Sequence, residues 1–121
     1  MPWKYLRPSE IEFSQNSIGN RFHGGDTLLR VFKKLVIGDL TPDDLPYIKV
    51  RWYDGGWMAF EGNRRLFLYL KLEEEGLLDE IPVDKFTGYK RITNEDGDIP
   101  YVRGNPDIDD SMDDIVSQFG Y

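Results

Sequence analysis

Apolar positions along the chain follow two periods. Leu28, Val31, Phe32 and Leu35 recur at helical spacing, with Asp26 or Thr27 as the N-cap and Gly38 as the stop, which predicts an amphipathic helix. Residues 64–75 carry Leu66, Phe67, Tyr69, Leu70 and Leu72 before Gly76, a second helix whose wide apolar face belongs against a sheet. Period-two alternation marks Ile11-Glu12-Phe13, Tyr47 to Tyr53 and Trp57 to Glu61 as strands. Asp54-Gly55-Gly56 turns the last two into a hairpin. Ile81-Pro82-Val83 reads as a short strand, its proline favouring a sheet edge or a strand start.

Between these elements the pattern weakens. Residues 14–25 contain three glycines among Ser and Asn side chains and read as a structured loop. Residues 86–103 alternate turn signals with short apolar pieces, Ile99 and Tyr101-Val102. Residues 107–121 are strongly acidic yet hold Ile108, Met112, Ile115, Val116 and Phe119 in one helical stripe, which docks either on the body or on a partner. The expected fold is α+β (mixed α/β). One small domain spans residues 1–104, a mixed sheet packed with two principal helices, and an acidic helical tail covers residues 105–121.

Composition supports one folded core. At 121 residues, with 40% hydrophobic and 14% aromatic content, the chain carries too much apolar material to remain disordered. The absence of cysteine excludes disulfides, thiolate metal sites and Cys nucleophiles, and favours a cytoplasmic or otherwise intracellular setting. With His23 as the single histidine, a structural zinc site is not expected. No apolar run approaches the roughly 20 residues a membrane span needs. The net charge of −7 is uneven: residues 1–71 are net +3 and residues 72–121 net −10. A mildly basic body suits a local anion, whereas stable duplex DNA binding needs a broad basic face and is not expected.

The candidate chemistry centres on Gly62-Asn63-Arg64-Arg65, where a strand hands over to a helix. A helix start exposes unpaired N–H groups and the positive end of the dipole, Gly62 permits close backbone approach, and guanidinium groups add bidentate contacts to phosphate. Two arginines in a first helical turn oppose the dipole unless something negative sits there; the alternative is that Glu61 or another carboxylate pairs with them. The loop before the first helix offers a second contact through Arg21, Gly24 and Gly25. His23 in that loop is a candidate donor or acid–base group, although a lone loop histidine is more often simply solvated.

Residues 10–85 also resemble the ParB/sulfiredoxin-like domain family. The resemblance is carried by Ile18, Phe22 and a Gly-rich step before a helix, then Leu45-Pro46-Tyr47-Ile48-Lys49-Val50, then Gly62-Asn63-Arg64-Arg65-Leu66, an apolar helix and Ile81-Pro82-Val83. It implies that the Gly62 turn binds nucleotide phosphates, with a nucleotide of the ATP or CTP class and Mg2+ as the cofactor and phosphotransfer, nucleotide hydrolysis or nuclease action as the chemistry; the family's kinases use a carboxylate as general base, for which Glu12, Asp26 and Glu61 are the candidates here. Asn63 stands where a sulfiredoxin needs its cysteine, so that reaction is excluded. The DNA-reading helical region of partition proteins has no counterpart in these 121 residues. Family membership gives a site and not a reaction. A second expectation is a non-catalytic interaction module that meets a protein partner through the acidic tail and exposed aromatics.

Overall fold

The structure is a computed structural model and describes residues 1–120. The chain runs β1 (Lys4–Leu6), β2 (Ile11–Phe13), β3 (Ser17–Gly19), α1 (Leu28–Ile37), β4 (Ile48–Tyr53), β5 (Gly56–Glu61), α2 (Asn63–Glu74), β6 (Ile81–Lys85), β7 (Tyr101–Arg103) and α3 (Ile108–Phe119). Five strands make one mixed sheet in the order β1-β6-β4-β5-β2, and β3 pairs with β7 in a small parallel ladder. The sheet curls: Trp3, just before edge strand β1, meets Trp57 of β5 edge to face at 5.5 Å although β6 and β4 lie between the two strands.

Both expected helices form where their periodicity places them. Thr27, not Asp26, caps α1 by accepting the Arg30 N–H, and Gly38 ends it in the left-handed region at φ 85°. Leu28, Val31, Phe32 and Leu35 are buried as their spacing requires. Helix α2 is embedded more deeply, with Leu66, Phe67, Leu68, Tyr69 and Leu72 all buried. The hairpin turn is tighter than Asp54-Gly55-Gly56 implied. Gly56 belongs to β5, and Asp54 and Gly55 make the turn at φ 50° and 86°, two positive angles in succession that match the strand twist.

Three features depart from the sequence reading. The loop over residues 14–25 contains β3, whose partner β7 lies more than eighty positions away, for example Gly19 opposite Arg103. Of the two places that the proline favours, the structure gives the strand start and not the sheet edge: β6 is interior, Pro82 is its second residue and sits opposite Tyr5 of β1, and pairing with β4 begins one residue later at Val83, so the missing N–H falls outside the β4 ladder. Glu73, for which the apolar pattern offers no partner, accepts the Ser9 N–H and hydroxyl at 2.8 and 2.9 Å and ties α2 to the turn before β2.

The α3 stripe docks on the body. Ile108, Met112 and Val116 are buried in the same core as α1, α2 and the sheet. Burial of each such side chain contributes about 1.5–3 kcal/mol. Asp109, Asp110, Asp113 and Asp114 remain exposed on the outer face, and Asp113 meets Lys71 of α2 at 2.5 Å. Among the described residues no helix is long and apolar enough to cross a membrane.

Candidate functional site

Strand β5 carries an irregularity just before the critical turn. Lys49 pairs with Glu61 but Val50 pairs with Ala59, so Phe60 is an extra residue, a bulge that sets Glu61 beside Lys49. Gly62 then takes φ 95° as the N-cap of α2. A Cβ there would lie 2.8 Å from both Arg65 Nη2 and Ile48 Cγ1, so glycine is required for space as well as for backbone angle.

No side chain caps α2, and no acidic residue lies in its first turn. The turn instead starts with Asn63, Arg64 and Arg65. Asn63 is buried and faces inward: its Oδ1 accepts the Ser14 N–H at 3.0 Å, and its Nδ2 donates to Ser14 Oγ at 3.0 Å and to the Ala59 carbonyl at 3.3 Å. Its side chain is therefore a structural clamp, and only its backbone N–H remains for an anion, which corrects its placing among the phosphate ligands. Arg64 and Arg65 diverge from this point. Arg64 turns towards β3, its Nε donating to the Gly19 carbonyl at 3.4 Å. Arg65 turns back over Gly62, and its buried Nε has no hydrogen-bond partner. Burial pushes the Arg65 guanidinium below its ordinary pKa, partly offset by Tyr69 and Glu61, but an arginine stays charged at neutral pH.

A cleft of about 620 Å³ opens in front of this turn. It brings the two candidate loops together: His23, Gly24 and Asp26 line one side, and Glu61, Gly62, Asn63, Arg64 and Arg65 the other. Phe22, Val31, Leu40, Leu45, Pro46 and Phe60 supply an apolar wall between them. Arg21 and Gly25 do not line it. The Arg21 guanidinium instead donates to the Gly25 carbonyl at 2.6 Å and braces the loop from outside, so Arg21 is a support for the loop and not a wall of the cleft.

Charge within the cleft is distributed unequally. Asp26 pairs with Arg30 and Lys34 of α1 at 3.7 and 3.9 Å, and Glu61 pairs with Lys49 and Lys90 at 3.5 and 3.2 Å. Burial pushes the Glu61 carboxyl up, but Lys90 and Lys49 outweigh it and hold the group below the ordinary carboxylate range. Neither Arg64 nor Arg65 has an ion-pair partner among the described residues. Glu61 thus makes no ion pair with either arginine, although its charge acts on Arg65 from beyond pairing distance. His23 is exposed at the rim.

Lys90 is the cleft residue that the sequence pattern missed. It comes from the turn-rich stretch after β6, which the buried Asn94 pins beside β2 by donating to the carbonyls of Gln15 and Asp98. Arg51 holds the same stretch through the Gly88 carbonyl at 2.8 Å. Glu12, another carboxylate with base potential, lies outside the cleft, exposed on the edge strand β2 beside Gly56 and Gly97. Among the described residues, no three His, Asp or Glu side chains converge in a way that would hold a metal ion. Comparison with protein-family models, with curated proteins and with solved structures gave no match.

Proposed function

We propose that this chain is a nucleotide- or phosphate-binding domain of the ParB/sulfiredoxin-like kind, taking a phosphorylated small molecule whose apolar or planar body rests against the Phe22–Phe60 wall. One observation carries the reading. At the uncapped start of α2 two guanidinium groups form no ion pair among the described residues, while Asp26 and Glu61 of the cleft are already paired with other cations. Unpaired N–H groups, a positive helix end and two free guanidinium groups together favour a phosphate. The apolar wall favours a ligand with more than a phosphate to offer.

The reactions that suit such a site are phosphoryl transfer, nucleotide hydrolysis and nuclease action, with His23 at the rim as the group free to exchange a proton. Asp26 and Glu61 do not form a cation site with any third ligand, so Mg2+ would enter with the nucleotide and no step is assigned to it. A thermal-shift screen with nucleoside di- and triphosphates, with and without magnesium, tests the proposal, because a ligand that binds only the folded state raises its melting temperature. Stabilisation of the wild type that is lost in Arg64→Ala and Arg65→Ala supports it. Equal responses of all three proteins to every nucleotide overturn it.

A second reading, a non-catalytic interaction module, is favoured by the exposed aromatics Tyr5, Trp52, Tyr89 and Tyr101, each more than half exposed, and by the pairing of both cleft carboxylates. It predicts nucleotide binding without turnover, or no binding at all.

A further inference from the structure

Arg103 lies on β7, outside the cleft and far in sequence from the α2 turn. In the β3–β7 ladder it sits opposite Gly19, and its Nη1 donates to Ser17 Oγ at 2.6 Å. Gly19 is also where Arg64 arrives. A Cβ built on Gly19 would lie 3.0 Å from Arg64 Nη2 and 3.6 Å from Arg103 Nη2. Two guanidinium groups therefore converge over one residue that has no side chain. Gly19 is not among the glycines with positive φ, so its backbone does not demand glycine; a Cβ there would crowd the ends of two flexible arginine side chains.

The chain has 22 Asp and Glu residues, yet among the described residues no carboxylate pairs with the guanidinium of Arg64 or of Arg103. Two like charges brought together repel, and the fork geometry of two guanidinium groups suits the oxygens of one phosphate. The Ser17 hydroxyl lies within the same cluster through its bond to Arg103.

We propose that Arg64 and Arg103, over the floor of Gly19, form a second oxyanion subsite adjoining the cleft, and that Arg103 makes the protein select ligands with at least two linked phosphate groups over monophosphates. Arg64 belongs to both places: it lines the cleft and faces Gly19. One phosphate rests at the α2 turn beside Arg65, and the next reaches the Arg64–Arg103 pair. This inference rests on the phosphate-binding reading of the cleft and adds to it a residue from β7 and a preference for ligand length.

Isothermal titration of the full chain with inorganic phosphate and with pyrophosphate tests it, using wild type, Arg103→Ala and Arg103→Gln. The glutamine variant keeps a donor for Ser17 while losing the charge, and an unchanged melting temperature without ligand establishes that it folds. Wild type is expected to bind pyrophosphate more tightly than phosphate. Both variants are expected to lose about tenfold for pyrophosphate, the scale of one charge-assisted hydrogen bond, and to change little for phosphate. Pyrophosphate bound equally by wild type and both variants overturns the subsite while leaving the cleft reading intact. A wild type that prefers phosphate, or that binds neither, also overturns it. In that case the nucleotide screen on Arg64→Ala and Arg65→Ala decides separately whether the cleft reading stands.

Discussion

Asn63 and Ser14 are joined by a reciprocal pair of hydrogen bonds, each 3.0 Å long: Ser14 N–H to Asn63 Oδ1, and Asn63 Nδ2 to Ser14 Oγ. This contact fastens the end of β2 to the first residue of α2, and both residues are buried. Asn63 is thus part of the framework. Asn63→Ala leaves the Ser14 N–H and the Ala59 carbonyl short of a partner, and buried unsatisfied groups cost about 1–3 kcal/mol each. The variant is expected to lose about 2–3 kcal/mol in urea unfolding. An unchanged midpoint would falsify the structural role.

Gly62 and Gly38 separate two reasons for glycine. Both have positive φ, 95° and 85°, but a Cβ at Gly38 meets nothing within 4 Å whereas one at Gly62 meets Arg65 and Ile48 at 2.8 Å. Gly38→Ala is expected to cost about 1 kcal/mol, the usual penalty of a side chain in the left-handed region. Gly62→Ala should cost more and should also displace Arg65, so its nucleotide-dependent thermal shift shrinks. Equal melting temperatures for the two variants would contradict the crowding at Gly62.

The elements legible in the sequence are those whose signal is local. Both principal helices and the β4–β5 hairpin declare themselves by apolar period and turn residues within a dozen positions. Strand β3 is three residues long and pairs only with β7, so no local pattern distinguishes it from a loop. The interior place of β6 was left open by Pro82, which suits a sheet edge or a strand start alike until the offset between its two partners is known. Half of the cleft was legible in the same sense: the Gly62 turn and the His23–Asp26 loop are each contiguous. Lys90 was not, because its placement depends on the Asn94 anchor, and neither was the approach of Arg103 to Gly19 outside the cleft, which depends on the register of β7.

Glu61 links charge in the cleft to pH. Its folded-state pKa is depressed, so its contribution to stability is present above the ordinary value of 4.5 and is lost as pH falls from there through the lower folded value. The carboxylate is about one-third exposed, and solvent-screened pairs of this kind contribute less than about 1 kcal/mol. Glu61→Gln should therefore be slightly less stable than wild type at neutral pH and equal to it in strong acid, as read from urea midpoints across pH. The same variant frees Lys90 and removes a negative charge beside Arg65, so nucleotide binding at pH 7 is expected to tighten. Weaker binding would instead make Glu61 a direct ligand contact.

Helix α3 decides whether the acidic segment can act as a separable docking arm. Its apolar stripe is already covered by the body, so truncation after Asn105 would remove Ile108, Met112 and Val116 from the core together with any partner surface. Point changes distinguish the two roles. Met112 is 1% exposed, and Met112→Ala is expected to cost about 2–5 kcal/mol, the range for deleting a long buried side chain. Asp110→Asn and Asp114→Asn, on the exposed outer face, should each shift stability by less than about 0.5 kcal/mol. A partner that recognises the acidic face would lose affinity with these two asparagine changes and keep it when Asp54, exposed at the distant hairpin turn, is changed instead. If Met112→Ala melted with wild type, the stripe would be loosely held, and the α3 surface would again be available to a partner through its apolar side.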